Sequence, residues 1–578
     1  MKQILVIATV ASSALLLPTH AHSADRPNVI LVVTDDQGYG DLGMHGNPRI
    51  RTPVLDAFAT QSIELTHFRV CPVCSPTRSS LLTGRYNYRT GIIDTYLGRS
   101  MMYPDEITLA EMLKAAGYRT GIFGKWHLGD NYPMRPQEHG FEETLVCKGG
   151  GIGQPADPPG NRYFDPVLFH NGKAEKRSGY CTDIFTDAAL KFIEQSSEKP
   201  FFVYLAYNAP HDPLQVADDL VAPYLKMDLS PKAFPQTGYP NKNYAPKEQI
   251  ARVYAMVENI DTNMGKLLKK LDDKKLANDT IVMFVSDNGP AEARFNSGLR
   301  GRKGTVYEGG LRVPFFVRWP GHFQPGKLDL AAAHIDITPT LVEACGAKLP
   351  NDRVIDGRSL LPWLNGEKPQ WKERTLYFQW HRGDTPEVNR AFAAIGPKYK
   401  LVQAQGTGPQ RNKETWKAEL FDLQKDPYEQ TDRAEDHSEI VRAMGKEYHA
   451  WFAEMAKARN FLPPRIYLGD EHQNPVTLTR QDWRGPRAGW GLDDLGYWEV
   501  LVARDGKYIV TLRFGPRAEN YEAVLKIGRV EKKVRVPEKA TEIVFPDVEL
   551  QKGDARLEAW LQLGNQAVGV QFVDVEKK

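Results

Sequence analysis

The sequence predicts an α/β protein: a large, mainly parallel sheet flanked by helices, with two smaller C-terminal parts. Four short apolar runs each end in a polar cluster, and segments of helical period separate them. A tail of alternating sequence over 466–578 predicts an appended β-sandwich. At 578 residues the chain exceeds one ordinary core, so several domains are expected.

Met1-Lys2 opens an apolar run from Ile4 to Leu17, followed by Ala21, Ser23 and Ala24. That run is short for a bilayer and reads as a signal peptide over 1–24. An exported protein, periplasmic or extracellular, is expected. The first apolar strand is Asn28-Val-Ile-Leu-Val-Val33, which ends in Asp35-Asp36. A helix over 108–116 carries Leu109, Met112 and Leu113 on one face and stops at Gly117. A strand over 118–123 then runs into Gly124-Lys125-Trp126-His127.

The stretch 147–179 is rich in Gly, Pro and Asn and reads as a long loop. Its Lys148, Arg162 and Lys173 could meet anionic groups on a ligand. A helix over 182–195 leads to the strand 201–206, which ends in Asn208-Ala-Pro-His211. Residues 212–246 read as irregular. Ile250, Val253, Val257, Ile260, Met264, Leu267 and Leu271 then mark the strongest helix. The strand 280–285 follows and ends in Asp287-Asn288. These elements define an α/β domain over 25–370.

A smaller α+β part is expected over 371–465, with strands at 375–380 and 400–403 and a helix over 438–456. Linker and sandwich fill 466–578. There the alternating runs 498–504 and 507–514, joined by Asp505-Gly506, read as a hairpin. Further strands are expected at 521–528, 541–545, 555–562 and 567–575.

Composition is that of a soluble globular protein, 41% hydrophobic and 25% charged. A net charge of +2 gives no argument for nucleic acid, and after residue 24 nothing has the length and apolarity of a membrane span. Export permits disulfides. Cys71, Cys147, Cys181 and Cys345, the four cysteines besides Cys74, allow three pairings, Cys147 with Cys181 among them.

The chain is organised around Cys71-Pro-Val-Cys-Ser-Pro-Thr-Arg-Ser-Ser-Leu-Leu-Thr-Gly-Arg85. Ser75 is a good N-cap and Pro76 suits a first helical position, while Gly84 can end the helix. Cys74 would then sit at a helix mouth, where unpaired N–H groups favour an anion. Cys71 and Cys74 also form a C-x-x-C pair, a spacing used for zinc, redox chemistry or a disulfide, but no second pair occurs to complete a zinc site. Asp35, Asp36, Asp287 and Asn288 are two oxygen-donor pairs at matching strand ends, a set suited to Ca²⁺ or Mg²⁺. Lys125 and His127, two apart, point the same way if the chain is extended. Lys303 lies in the glycine-rich Arg300-Gly-Arg-Lys-Gly-Thr-Val-Tyr-Glu-Gly-Gly310, and His211 follows Pro210 at a strand end.

Cys74-Ser75-Pro76-Thr77-Arg78 followed by Leu82-Thr83-Gly84-Arg85 closely resembles the signature of the type I sulfatases. Gly-Lys-Trp-His-Leu-Gly at 124–129 and Lys-Gly-Thr, Glu-Gly-Gly and Arg-Val-Pro over 303–314 resemble further motifs of that family. The resemblance covers about 26–465. It implies the alkaline-phosphatase-like sulfatase fold and a formylglycine made from Cys74 by a maturation enzyme. It also implies Ca²⁺ held by Asp35, Asp36, Asp287, Asn288 and residue 74. The family's chemistry would make a hydroxyl of the hydrated aldehyde attack sulfur with Asp287 as base. Lys125 and Lys303 would neutralise the sulfate oxygens, and His211 would bind substrate and protonate the leaving alcohol. His127 would deprotonate the second hydroxyl, and Arg78 would hold the diol and metal ligands in place. A sulfated carbohydrate or other sulfate ester is the implied substrate. Two rivals remain: a phosphomonoesterase or phosphodiesterase of the related superfamily, and a non-catalytic glycan-binding protein. The first usually uses two zinc ions and several histidines, and no histidine stands beside Asp287-Asn288.

Overall fold

A computed structural model describes residues 26–196, 199–241, 243–408, 417–491, 493–516 and 521–578. The expected signal peptide lies outside these residues. Among them, no helix is long and apolar enough to cross a membrane.

Ten strands form the main sheet: β1 (Asn28–Thr34), β2 (Ile63–Arg69), β3 (Arg119–Lys125), β4 (Glu143–Cys147), β5 (Val167–His170), β6 (Lys173–Lys176), β7 (Phe201–Ala206), β8 (Thr280–Ser286), β9 (Phe315–Arg318) and β10 (Gly326–Ala333). Their order is β10-β2-β9-β8-β1-β7-β3-β4-β5-β6. The four apolar runs of the sequence are the contiguous central strands β8, β1, β7 and β3, all parallel. The edges are mixed, because β9, β5 and β6 run antiparallel to their neighbours. Both faces are covered, which is why these strands are continuously apolar. Ile30 and Val32 pack under the helices Cys181–Glu194 and Lys247–Asp273. Val29, Leu31 and Val33 face the helices Cys74–Thr83, Leu109–Ala115 and Ile337–Ala344.

Register decides where the site can form. Val33 lies opposite both Ala206 and Val285, and Ala206 lies opposite Gly124. The four central strands therefore finish at one level, and their polar successors emerge side by side.

Several expectations need correcting. The loop 147–179 contains the β5–β6 hairpin, turned at Asn171-Gly172 with both residues at positive φ. That Asn-Gly pair was the available signal, but the charged Lys173–Lys176 strand masked it. The stretch 212–246 contains the helix Asp218–Leu225, hidden in sequence by Pro223 inside it. The helix at 74 begins two residues early, at Cys74 with Val73 as N-cap. Ser75 does not cap; its hydroxyl donates to the His127 carbonyl (2.9 Å). Gly84 ends the helix at φ +71, as expected. All five cysteines are free and buried.

The next sheet is antiparallel, β11 (Leu376–Gln379), β12 (Phe392–Ile395), β13 (Tyr399–Gln403) and β14 (Glu419–Asp422) in that order, packed under the helix Ser438–Arg459. The last part is a sandwich of two further sheets. Its strands Leu495–Val502 and Gly506–Arg513 do not form the expected hairpin. The first pairs with Gly553–Leu563, the second with Glu542–Leu550 and Phe572–Lys577. Trp498, Val500 and Val502 meet Tyr508, Val510 and Leu512 in one core. Alternation specifies which face of a strand is buried, and it leaves the pairing partner open. Met101 and Met134 of the first part enter that same core, so the sandwich is docked on the main sheet's loops.

At Gly124 the backbone has φ +124, and a Cβ would lie 1.8 Å from the Ala206 carbonyl oxygen. Gly124→Ala must part β3 from β7 directly below Lys125. The expected cost is about 3 kcal/mol or more, read as a lowered midpoint in thermal denaturation. A wild-type midpoint would show that the strands do not need this close approach.

Candidate active site

The candidate catalytic, sulfate-binding and metal residues of the sequence reading converge at the carboxyl ends of β1, β3, β7 and β8, whereas Arg162 and Lys173 are exposed and Lys173 lies on the edge strand β6. Asp35 and Asp36 leave β1, and Asp36 takes φ +66, which lets its N–H donate to Asp287 Oδ1 (3.3 Å). Asp287 and Asn288 leave β8, and Asn288 Nδ2 donates to Asp36 Oδ1 (2.7 Å). One oxygen from each of Asp35, Asp36 and Asp287, with Cys74 Sγ, all lie within 4.8 Å of one another. Arg78, one turn along the helix, donates through Nε (3.0 Å) and Nη2 (2.8 Å) to Asp287 Oδ2. Its Nη1 reaches the Lys125 carbonyl (3.1 Å), so one guanidinium ties the ends of β3 and β8 to the helix.

Lys125 Nζ pairs with Asp35 Oδ2, and Lys303 Nζ with both oxygens of Asp36 (2.6 and 2.8 Å). The Lys303 loop is fastened by backbone: Lys303 N donates to Pro290 O (3.1 Å) and Gly304 N to Pro72 O (2.8 Å). Gly289 and Gly309 meet so closely that a Cβ on Gly289 would lie 2.0 Å from the Gly309 oxygen.

The chain is not extended from Lys125 to His127, because His127 takes φ +58. Its Nε2–H donates to the Thr95 carbonyl (2.7 Å), which makes Nδ1 the basic nitrogen. That Nδ1 is buried without a hydrogen-bond partner. His211 Nδ1 meets the Asp212 carbonyl (2.7 Å) and carboxylate (2.8 Å), and its Nε2 lies 3.8 Å from Asp36.

Electrostatics separate these groups. Burial would raise the Asp35 carboxyl, but Lys125, His211, Arg78 and Lys303 hold it well below the usual range. Burial and then the Asp35 charge push Asp287 up to about 6. Burial and Asp35 push the Cys74 thiol up to about 12, so it is no thiolate nucleophile. Burial, reinforced by Lys125, drives His127 well below its usual value, toward the neutral form. Burial and Lys303 lower His211, but the Asp35 and Asp36 carboxylates outweigh them and raise it. The two histidines are thereby pushed in opposite directions, His127 toward the neutral form and His211 toward the charged one.

Sequence reasoning missed the supports. Arg294 donates to Asp41 and to the Asp36 carbonyl (2.9 Å) from beneath the cluster. The Thr95 carbonyl that orients His127 also accepts from Gln481 Nε2 (2.8 Å) of the sandwich. A contact between residues 386 apart leaves no local signal. Lys148, read as a possible anion contact, lies over the Phe169 ring (4.6 Å).

Residues 27–347 match the Sulfatase family, and residues 301–453 match the family "N-sulphoglucosamine sulphohydrolase, C-terminal". Human steryl-sulfatase is 29% identical over 490 residues, spanning 68% of this chain and 80% of that protein. Human N-acetylgalactosamine-6-sulfatase is 33% identical over 392 residues, 62% of this chain and 69% of that protein. The crystal structure of Ps i-CgsB in complex with k-i-k-neocarrahexaose superposes with a TM-score of 0.63 at 29% identity. That match covers 76% of this chain and 94% of the other.

Arg78→Met removes the guanidinium from a fully buried carboxylate, which costs about 3–5 kcal/mol. Arg78→Lys keeps the charge without the fork and should recover only part of that. Denaturant titration of the two variants reads the ordering, and equal stability of Arg78→Met and wild type would overturn it.

Proposed function

This chain belongs to the sulfatase family and is a sulfuric ester hydrolase, and from that premise we propose that it desulfates a carbohydrate, using a formylglycine formed at position 74 and a Ca²⁺ beside it. The observation that carries this reading is the convergence of Asp35, Asp36, Asp287 and Cys74 within 4.8 Å. The donor set fits a hard cation: oxygen-rich, buried, and containing two oxygens, Asp35 Oδ1 and Asn288 Oδ1, that lack hydrogen-bond partners. Asp35, Asp36, Asp287 and Asn288 would hold the ion, with residue 74 completing the set. Cys74 Sγ stands where the oxygens of the hydrated aldehyde would lie.

When present, Ca²⁺ would supply positive charge beside the sulfate, and the aldehyde hydrate two hydroxyls on one carbon. The remaining work falls to the chain's own side chains. Lys125 and Lys303 exchange their carboxylate partners for the sulfate oxygens, whose charge grows as the ester bond breaks. Asp287 stays paired through Oδ2 with Arg78, and its carboxylate, in the same cluster as residue 74, can take a proton from it. His211 gives a proton from Nε2 to the departing alcohol oxygen. His127, held by Thr95 in the tautomer with a free Nδ1, takes a proton there in the return half of the cycle. Arg78 fixes Asp287 and the end of β3, which is a positioning task.

For the substrate, the relatives' names divide between a steryl and an amino-sugar sulfatase, and the solved complex holds a neocarrahexaose. The expected export of this chain favours the sugar, since sulfated polysaccharides are extracellular materials. Conversion of Cys74 would require a formylglycine-generating enzyme in the producing cell.

Two outcomes are expected. Mass spectrometry of the 70–78 peptide from active enzyme should show the Cys74 sulfur replaced by an aldehyde, and an intact thiol in fully active enzyme would sink the mechanism. Metal analysis should find about one Ca²⁺ per chain, lost with activity in Asp36→Ala; stoichiometric zinc retained in that variant would refute the assignment. A screen of sulfated mono- and oligosaccharides against nitrophenyl sulfate tests the substrate class. Turnover of the aryl ester with none on any sulfated saccharide would overturn the carbohydrate reading and leave the hydrolase intact.

A further inference from the structure

We propose that Tyr96 of the main domain and Trp490 of the C-terminal sandwich form a sugar-binding corner. It would hold the ring adjoining the sulfated one in an oligosaccharide substrate. The proposal rests on the carbohydrate reading above and adds residues to it.

The sandwich reaches the site through Gln481, which donates to the Thr95 carbonyl that orients His127, and to Ser100 Oγ (3.0 Å). Gly98 N donates back to the Gln481 carbonyl (2.9 Å). Tyr96 stands next to Thr95, with the Arg382 guanidinium 4.4 Å over its ring. The Trp490 ring meets it edge-on, centroids 5.1 Å apart at 78°.

Trp490 is 38% exposed, the only aromatic among the exposed large hydrophobic side chains described. An exposed tryptophan would ordinarily ride on a loose loop. Here both neighbours in the chain are fastened. The Gly489 carbonyl accepts from Trp483 Nε1 (3.1 Å), Gly491 N donates to Asp494 Oδ2 (2.6 Å), and Arg480 donates to the Gly491 carbonyl. An apolar ring kept in water and held still is a surface prepared for a ligand, because its ordering precedes binding.

A cavity of 210 Å³ lies against it, lined by Gln154, Pro155, Asp157, Arg480, Trp490 and Phe572 among others. One lining residue also adjoins a site histidine: a Cβ on Gly151 would lie 3.1 Å from Gln154 Nε2 and 3.2 Å from His211 Nδ1, so Gln154 borders both the cavity and the Asp212 side of the His211 ring. Whatever is attached to the leaving oxygen must extend from His211. Polar groups on one wall and an aromatic face on the other suit a sugar, which offers hydroxyls at its rim and C–H bonds on its faces.

The test compares Trp490→Ala, Trp490→Phe and wild type, all as matured full-length enzyme. The probes are nitrophenyl sulfate and sulfated glycosaminoglycan and carrageenan saccharides of one to six rings. Trp490→Ala should lower kcat/KM on oligosaccharides about tenfold more than on nitrophenyl sulfate, chiefly through KM, and Trp490→Phe should restore most of it. An equal loss on both substrate types would place Trp490 behind His127 and overturn the proposal. So would an unchanged kcat/KM on oligosaccharides. Wild-type enzyme that cleaves nitrophenyl sulfate and no saccharide would instead overturn the carbohydrate reading, and the corner with it.

Discussion

The site depends on charge held in balance where water cannot reach. Asp35, Asp36 and Asp287 meet Arg78, Lys125 and Lys303, and all except Lys303 are nearly or fully buried. Taking any of these charges out of water alone would be prohibitive, so each must find its partner as the chain folds. Asp35 shows the balance tipped one way and Asp287 the other: the same carboxylate that Lys125, His211, Arg78 and Lys303 hold ionised helps burial raise its neighbour to about 6. A cluster so poised is responsive, since one added dication or one arriving sulfate redistributes every partner in it.

That balance is possible because four strands end together. A slip of one residue between β1 and β8 would turn Asp287 to the opposite face of the sheet and take it from Arg78. The in-phase register is locked by continuous apolar strands buried on both faces. It is refined by glycines where backbones must touch, at Gly124 against Ala206 and at Gly289 against Gly309. Both places that deliver Lys125 and Lys303 thus require glycine.

Much of this was readable in the sequence, and the boundary is instructive. The central strands, the long helix Lys247–Asp273 and the site residues at strand ends follow from local pattern, because each strand end carries its own polar signature, while Cys74, Arg78 and Lys303 stand out through their motifs. Pairings between distant segments were not readable. The tail's alternation marked strands at 498–504 and 507–514, found at 495–502 and 506–513, but assigned them to one hairpin, since burial of Trp498 and Tyr508 is satisfied equally by facing sheets. Ser75 looks like a cap until His127 O, supplied by the end of β3, outcompetes the helix N-terminus for its hydroxyl.

The same distinction bears on how chemistry and selectivity divide along this chain. The family matches end at residue 453, and every proposed reacting residue lies before it. Gln481 and Trp490 lie after it, yet one shares a carbonyl with His127 and the other meets edge-on the residue that follows that carbonyl. An appended sandwich that served only as a spacer would have no reason to fasten an exposed tryptophan on both sides. Because Thr95 accepts from His127 and Gln481 together, the sandwich's seating and the histidine's orientation are mechanically linked. Docking then does two things through one loop: it helps hold the Thr95 carbonyl that fixes the His127 tautomer, and it sets Trp490 beside Tyr96.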